Sequence, residues 1–262
     1  MKNKIIWLTG ASSGIGEALT YLLNEKGAKL IISARNREAL YQVKQNCKSN
    51  PLDVHVLPID LEQLDTLPQK VADALKIFGR IDHIIHCAGI SQRSLALDTS
   101  LEVSQKMMNI NFWAPVIISK ELLPAMISAG GGSISIVSSL VGKFGTRLRS
   151  SYAASKHALH GYFDSLRIET EEQNIHISII CPGFIKTNLT YSALLGDGTP
   201  QNKMDDAQQN GMLAKDCALQ IVKAIDAKKQ EVYIGGKEKY GILIKRFFPK
   251  YFSKMIRKAK VV

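Results

Sequence analysis

The stretch TGASSGIGEAL, residues 9–19, follows the aliphatic run IIWL and leads into an amphipathic segment. Gly10, Gly14 and Gly16 therefore fall at a predicted strand-to-helix turn. Glycines at such a turn permit a tight bend and a close approach of the backbone to a pyrophosphate, and the helix N-terminus offers unpaired N–H groups to that anion. An ordinary glycine-rich loop is the alternative, but the position between a strand and a helix favours a dinucleotide-binding turn. Its predicted contact residues are Gly10, Ser12, Ser13, Gly14, Ile15 and Gly16.

Short aliphatic runs alternate with longer amphipathic ones along the rest of the chain. The strand candidates are apolar at nearly every position, as expected for strands that are buried on both faces; they are KIIWLTG, AKLIISA, VHVLPID, IDHIIHCAG, GSISIVSS, IHISIICPG and EVYIG. Helices are predicted at about 15–26, 36–49, 61–78, 100–129, 150–174 and 214–228. This order predicts an α/β fold with a doubly wound parallel sheet in three α/β/α layers.

Composition and charge limit the domain organisation and the class of protein. The chain has 262 residues, is 45% hydrophobic and contains no linker-like segment, which predicts a single domain. Residues 237–262 hold nine Lys or Arg and one Glu, so most of the net charge of +11 lies there and the rest shows no nucleic-acid signature. We therefore expect a domain at 1–236 and a basic amphipathic extension at 237–262.

Targeting and cysteine patterns point to the same compartment. We find no run of about 18 apolar residues and no signal-peptide pattern, which predicts a cytoplasmic protein. Cys47, Cys87, Cys181 and Cys217 are widely separated, which favours reduced thiols and predicts no metal site.

Four separated motifs carry a resemblance to a known family. TGxxxGIG at 9–16, SS at 138–139, YxxxK at 152–156 and CPGFIKT at 181–187 resemble the short-chain dehydrogenase/reductase (SDR) family over about residues 3–235. The resemblance implies a Rossmann fold and nicotinamide-dependent oxidation or reduction. It also implies a catalytic set, whose members are Asn111, Ser139, Tyr152 and Lys156.

The chemistry of Tyr152 and Lys156 agrees with that resemblance. Residues at i and i+4 are neighbours on a helix, so a cationic lysine, together with an oxidised nicotinamide, would favour the phenolate and lower a tyrosine pKa that is ordinarily about 10. Tyr152 could then exchange a proton with a carbonyl or alcohol oxygen, while Ser139 hydrogen-bonds the same oxygen. The alternative is a helix of small residues that only packs against a neighbour.

Cofactor selectivity is predicted from the end of the second strand. Ala34 stands where NAD-dependent relatives carry a carboxylate, and Arg35, with Arg37 nearby, suits a 2′-phosphate. We therefore predict NADP(H) rather than NAD(H). Further cofactor contacts implied by the resemblance are Asp60, which could equally cap a helix starting near Leu61, and Ala88, Gly89, Tyr152, Lys156, Pro182, Gly183, Ile185 and Thr187.

One motif departs from the family pattern. HCAG at 86–89 replaces the usual Asn-Asn-Ala-Gly, which puts local hydrogen bonding in doubt more than hydride transfer. His83, His86 and Cys87 do not form a metal site if they alternate along a strand. His157 and His160 are predicted to lie at the surface or in an interface.

The substrate is less well indicated. The polar segment 188–212 is predicted to be a mobile lid. Lys143, Arg147 and Arg149 could attract an anionic substrate, although a solvated rim is favoured. The tail and the GML and AKDCALQIVKAI runs resemble the dehydrogenase/reductase seven branch, which implies a lipophilic ketone or aldehyde. The alternatives are a 3-oxoacyl thioester, or a catalytically silent sensor or scaffold, against which the intact catalytic set argues.

The C-terminal segment and the long helices suggest contacts with partners. An apolar stripe is predicted along one helical face, with a break at Pro249; it consists of Ile244, Phe247, Phe248, Tyr251, Phe252 and Met255, flanked by Lys245, Arg246, Lys250, Lys254, Arg257 and Lys258. The stripe could pack on the domain or on another subunit, or it could contact an anionic membrane surface. The resemblance implies a homodimer or homotetramer that pairs through helices 100–129 and 150–174.

Overall fold

The computed structural model describes residues 1–258 and shows a seven-stranded parallel sheet. The strand order is β3-β2-β1-β4-β5-β6-β9. The strands are β1 (Ile5–Thr9), β2 (Lys29–Ser33), β3 (Val54–Val56), β4 (His83–His86), β5 (Gly132–Val137), β6 (Ile175–Pro182) and β9 (Glu231–Ile234). A separate parallel pair is formed by β7 (Ile185–Lys186) and β8 (Met212–Leu213).

Helices cover both faces of the sheet, which confirms the predicted three-layer architecture. They are α1 (Gly14–Glu25), α2 (Arg37–Gln45), α3 (Leu67–Phe78), α4 (Leu101–Met108), α5 (Ala114–Ser128), α6 (Ser150–Glu169), α7 (Asp206–Gln209), α8 (Ala214–Asp226), α9 (Gly241–Phe247) and α10 (Pro249–Lys258). One hydrophobic cluster joins the sheet to α3, α4, α5 and α6, and a second joins it to α1, α2 and α8. The strands are apolar throughout because each face is buried.

The start of α3 differs from the prediction. The Asp60 carboxylate accepts a hydrogen bond from the backbone N–H of Glu62 at 3.1 Å and so closes a local turn instead of capping a helix. A 3₁₀ turn at Leu64–Thr66 follows, and α3 begins at Leu67 with Pro68 in its first turn. Proline is well placed there because the first-turn N–H groups have no partner within the helix. The prediction that Asp60 caps a helix near Leu61 is therefore wrong.

The segment Leu101–Ser128 is one continuous helical run of α4, a π-helical turn at Asn109–Trp113, and α5. Its length and its mean hydropathy of 1.2 would suffice to cross a membrane, which the sequence reading did not anticipate. In this fold, 61% of its most apolar window is buried, and α5 packs against α3 while α4 packs against α6. The run thus has the surroundings of a core helix.

The C-terminal extension folds into α9 and α10, with a break at Phe248 just before Pro249. The break lies where it was predicted. The predicted apolar stripe does not form one continuous face, because the chain changes direction between α9 and α10. Phe252 is 5% exposed and packs on Phe144 with ring centroids 5.2 Å apart, whereas Phe247 is 66% exposed. Ile244 and Met255 also pack on the domain, and Phe248 and Tyr251 are exposed. Residues 259–262 of the predicted extension lie outside the described residues.

Candidate active site

A cavity of about 700 Å³ lies at the carboxyl ends of the strands. The strand order reverses between β1 and β4, and open α/β sheets bind ligands at such a switch point. Every predicted cofactor residue lines this cavity: Gly10, Ser12, Ser13, Gly14, Ile15, Gly16, Arg35, Asp60, Ala88, Gly89, Tyr152, Lys156, Pro182, Gly183, Ile185 and Thr187. Ser139 lines it as well, and of the predicted catalytic residues Asn111 alone does not.

The glycine-rich turn can hold a dinucleotide because side chains are excluded from it. Gly14 has φ +59°, and a Cβ there would lie 3.0 Å from the Thr187 side chain. A Cβ on Gly16 would lie 2.1 Å from the carbonyl oxygen of Gly10. The turn therefore presents bare backbone at the start of α1, in the form that a pyrophosphate needs.

The end of the cavity next to β2 distinguishes the two candidate arginines. Ala34 and Arg35 line the cavity, and Arg35 is exposed. Arg37 does not line it; its guanidinium lies 5.6 Å from the centroid of the Tyr41 ring. Neighbouring Asn36 caps α2 by accepting from the backbone N–H of Ala39 at 2.9 Å. Of the two arginines, Arg35 is therefore the one that lines the cavity.

Tyr152, Lys156 and Ser139 meet at the opposite end of the cavity. The first two lie one turn apart on α6, and Lys156 Nζ is 5.8 Å from the centroid of the Tyr152 ring. Lys156 Nζ donates a hydrogen bond to the carbonyl oxygen of Val137 at 2.9 Å. Ser139 follows β5, and its hydroxyl donates to the carbonyl oxygen of Pro182 at 3.3 Å. The end of β5 thereby fixes both the lysine and the serine.

Burial dominates the protonation of this group of side chains. It raises the pKa of the Tyr152 phenol above its usual value, although Arg149, the Ser139 side chain and Arg93 each act to lower it. Burial also lowers the pKa of Lys156 to about 8, because the charged ammonium loses solvation. Among the protein's own groups, desolvation outweighs the nearby positive charges at Tyr152. The predicted fall in its pKa was for Tyr152 beside an oxidised nicotinamide, and it stays a prediction.

Asn111 lies behind the cavity, in the π-helical turn between α4 and α5. Its side chain accepts from the backbone N–H of Ile90 at 2.9 Å and donates to the carbonyl oxygen of the same residue at 3.0 Å. It also donates to the Ser155 hydroxyl at 3.0 Å. Asn111 therefore ties the loop after β4 to α6, the helix that carries Tyr152 and Lys156.

Gln92 is a site residue that sequence reasoning missed. Its side-chain oxygen accepts from the backbone N–H groups of Ser151 at 2.9 Å and Tyr152 at 3.3 Å. These are first-turn donors of α6 that otherwise lack helical partners. Gln92 thus holds the start of α6 across about 60 residues of sequence, and no local motif signals such a contact.

The expectation of a solvated basic rim is wrong for two of its three members. Arg149 is 7% exposed, and its guanidinium lies 3.3 Å from the carboxylate of Asp205. Lys143 is half-buried and paired with Glu231 at 2.9 Å, while Arg147 is exposed. Like Arg149, Arg93 binds Asp205; it donates to the carboxylate from Nε at 2.9 Å and from Nη2. Asp205 lies in the predicted lid segment, so this segment is anchored by a buried ion-pair cluster.

The histidines are satisfied by serines in the core. His83 Nε2 lies 2.9 Å from Ser135 Oγ, and His86 Nε2 lies 3.0 Å from Ser119 Oγ. The departure at HCAG therefore leaves His86 with a hydrogen-bond partner on α5. Burial lowers the pKa of both histidines to about 3, so both are neutral at physiological pH.

His160 is buried, contrary to its predicted surface position. Its ring contacts Ser138 Oγ at 3.1 Å and Cys181 Sγ at 3.7 Å, and Nδ1 lies 3.9 Å from Glu231. One ligand atom from each of His160, Cys181 and Glu231 falls within 4.8 Å of the others, a grouping that the sequence did not predict. The Lys143 ammonium already neutralises Glu231 there, so the carboxylate is committed to an ion pair.

Comparisons with known proteins agree with this geometry. The family model described as short chain dehydrogenase matches residues 4–195. A Drosophila melanogaster protein named dehydrogenase/reductase SDR family protein 7-like is 34% identical, over 99% of this chain and 81% of its own. The Mus musculus dehydrogenase/reductase SDR family member 7B is 37% identical, over 89% of this chain and 74% of its own.

Solved structures share the fold at lower sequence identity. A short-chain dehydrogenase from Streptomyces avermitilis has a TM-score of 0.82 and 24% identity, covering 98% of each chain. One from Burkholderia cenocepacia, in complex with NADP, has a TM-score of 0.80 and 20% identity, covering 98% of this chain and 99% of its own. The matches in sequence and fold, together with the placement of Ser139, Tyr152 and Lys156, lead to one conclusion: the chain belongs to the short-chain dehydrogenase family.

Proposed function

We propose that the protein is an NADP(H)-dependent oxidoreductase that interconverts a ketone or aldehyde and an alcohol by hydride transfer. One observation carries the proposal. Tyr152, Ser139 and Lys156 lie at one end of a cavity whose other end is lined by the glycine-rich turn and Arg35. A cofactor bound along this cavity would have its reactive end beside a proton donor.

The residues present fit a nicotinamide dinucleotide. The backbone at Gly14 and Gly16 forms a cradle that a Cβ would fill, and it lies at the N-terminus of α1. Arg35 supplies the positive charge for a 2′-phosphate, and Ala34 leaves the space that a carboxylate would occupy in an NAD-selective site. Asp60 and Thr187 also line the cavity, and the Thr187 side chain lies against Gly14.

A bound NADPH would supply the hydride, and side chains of this protein would transfer the proton. A tyrosine phenol has an ordinary pKa of about 10, and burial raises that of Tyr152 further, so Tyr152 is protonated at neutral pH and can donate a proton to the substrate oxygen. Ser139 hydrogen-bonds that oxygen and stabilises its developing negative charge. Lys156 stabilises the phenolate that forms, and Asn111 keeps α6 in register with the loop after β4.

A lipophilic carbonyl compound is the proposed substrate. Leu189 and Ile90 line the cavity with Ser139, and Leu189 comes from the segment 188–212 that borders it. The test is a panel containing a steroid ketone, a long-chain aldehyde and a 3-oxoacyl thioester, each assayed with NADPH and with NADH. Reduction of a lipophilic carbonyl with NADPH supports the proposal. Activity on the thioester alone, or with no member of the panel, would contradict it.

The proposal also covers contacts of the C-terminal extension with lipid and the pairing of subunits. Tyr240, Leu243, Phe247, Phe248 and Tyr251 form an exposed apolar patch, each 54–66% exposed, among the basic residues of α9 and α10. A second copy would bring like charges together at this patch, whereas an anionic lipid surface is complementary. We propose that the patch contacts membrane lipid and that homo-oligomers pair through α4, α5 and α6.

A further inference from the structure

The C-terminal extension reaches the cavity wall through one carboxylate, that of Glu238. Glu238 lies in the 3₁₀ turn Lys237–Tyr240, which follows β9. Its Oε1 accepts from the backbone N–H of Gly236 at 3.0 Å and from that of Phe184 at 3.4 Å. The bond to Gly236 closes a local turn, but the bond to Phe184 spans 54 residues of sequence. Glu238 therefore joins the extension to the turn that follows β6.

The ends of β6 and β9 leave room for this carboxylate. Gly183 lies against Glu238 Oε1, and a Cβ on Gly183 would collide with that oxygen. Gly235 faces the same oxygen with φ +156°, and a Cβ there would collide with it as well. Because neither neighbour carries a side chain, the half-buried Glu238 fits between the two strand ends. The Gly183 N–H also donates to the carbonyl oxygen of Ile234 at 2.7 Å, which ties the strand ends together.

The turn that Glu238 holds is part of the cavity wall at the end where Ser139 lies. Pro182 and Gly183 line the cavity together with Ser139. The Ser139 hydroxyl donates to the carbonyl oxygen of Pro182 at 3.3 Å. The contacts thus run from Glu238 through the three consecutive residues 182–184 to the serine hydroxyl. A shift of this turn would move both the cavity wall and the hydrogen-bond acceptor of Ser139.

Two further contacts fix the extension against the segment that follows Ser139. Lys245 Nζ donates to the carbonyl oxygen of Lys143 at 2.9 Å. The Phe252 ring packs on Phe144 with ring centroids 5.2 Å apart. The extension therefore contacts both chain segments that form this end of the cavity, and Glu238 provides the contact with the turn after β6.

We propose that Glu238 is a positioning residue for the nicotinamide half of the cofactor, because its carboxylate holds the turn at residues 182–184 beside Ser139. The inference rests on the proposed function, since it requires a nicotinamide dinucleotide in this cavity. It adds that the C-terminal extension is part of the cofactor site. β6 and β9 lie on the opposite half of the sheet from β2, which precedes Arg35. Glu238 should therefore affect the nicotinamide half of the ligand and leave binding of the adenosine half unchanged.

The experiment compares each dinucleotide with its adenosine half by calorimetric titration, and it requires no substrate. NADPH is paired with adenosine 2′,5′-bisphosphate, and NADH is paired with ADP. Glu238→Ala should weaken binding of the dinucleotide roughly fivefold, the scale of one partly solvated hydrogen bond, and change that of the adenosine half less than about twofold. Glu238→Gln keeps an oxygen acceptor and should bind both ligands within about twofold of the wild type. Lys237→Ala is the matched control, since Lys237 is exposed in the same turn.

A selective loss of dinucleotide binding in Glu238→Ala, with recovery in Glu238→Gln, supports the inference. Equal loss of the dinucleotide and its adenosine half, loss of neither, or a Glu238→Gln variant that binds no better than Glu238→Ala would overturn it. If Glu238→Ala does not fold, Glu238→Asp decides by the same selective loss, because it draws the carboxylate back by one methylene, and unchanged dinucleotide binding overturns the inference.

The two ligand pairs separate this inference from the proposed function. Binding of NADH but not of NADPH by the wild type would contradict the proposed cofactor, while the NADH and ADP pair would still decide the role of Glu238. Failure of the wild type to bind either dinucleotide would overturn both.

Discussion

Replacing Arg35 with alanine is predicted to remove most of the preference for NADPH over NADH. Arg35 lines the adenosine end of the cavity beside Ala34, whose methyl side chain carries no charge to repel a 2′-phosphate. A charge-assisted hydrogen bond contributes about 1.5–3 kcal/mol when well shielded. Arg35 is exposed, so solvent screening reduces this to about 1–2 kcal/mol. The NADPH dissociation constant should then rise roughly 5–30-fold, at about 1.4 kcal/mol per factor of ten.

The assay is direct titration of each cofactor by calorimetry at fixed ionic strength. NADH has no 2′-phosphate, so its affinity should change less than about twofold in Arg35→Ala. Arg37→Ala is the matched control: this arginine is two residues away and equally charged, but it lies over Tyr41 instead of lining the cavity. Equal binding of NADH and NADPH by the wild type would refute the reasoning, as would an Arg35→Ala variant that loses both cofactors equally.

The other predictions concern stability, lipid binding and assembly. His86 has a pKa of about 3 in the folded protein against an ordinary value of 6.5, so its contribution to the free energy of unfolding is lost as pH falls below 6.5. Between pH 7.5 and pH 5, the free energy of unfolding measured in urea should therefore fall by about 2 kcal/mol less in His86→Asn than in the wild type. Equal losses in the two proteins would contradict this prediction. Wild type should co-sediment with phosphatidylserine vesicles at low salt, whereas the double variant Phe247→Ser/Phe248→Ser should stay in solution. Leu97→Ser is the control, since Leu97 is 99% exposed elsewhere on the protein, and it should sediment like the wild type. Unchanged sedimentation of the double variant would count against lipid binding by the patch. Light scattering at micromolar concentration should give a dimer or tetramer mass, and a monomer would exclude pairing through α4, α5 and α6.

The features that could be read from the sequence are those encoded by contiguous residues. The turn at residues 9–19 combines an apolar strand, spaced glycines and a helix, so its position and chemistry follow from local rules. Tyr152 and Lys156 are set by helical periodicity in the same way. The alternation of buried strands and amphipathic helices was sufficient to predict the parallel sheet and the helical layers on its two faces.

The features that were missed depend on contacts between distant residues. Arg93 and Asp205 are 112 residues apart, and neither residue belongs to a motif, so a buried ion pair could not be distinguished from two solvated charges. The hydrogen bonds from the start of α6 to Gln92 could not be predicted for the same reason. The single apolar face of the C-terminal extension was wrong for another reason. The break at Pro249 was predicted, but helical periodicity does not give the direction of the chain after a break, and here Phe252 is buried in the core while Phe247 is exposed.

The central claim is that Tyr152 supplies the proton for carbonyl reduction in a site that binds NADPH independently of it. The most direct measurement compares wild type with Tyr152→Phe in two assays, NADPH titration and single-turnover oxidation of bound NADPH by a carbonyl compound that the wild type reduces. The account predicts NADPH affinity within about twofold and a single-turnover rate reduced at least about 100-fold, the usual scale for loss of a general acid. A variant that binds NADPH normally and turns over at the wild-type rate would contradict it.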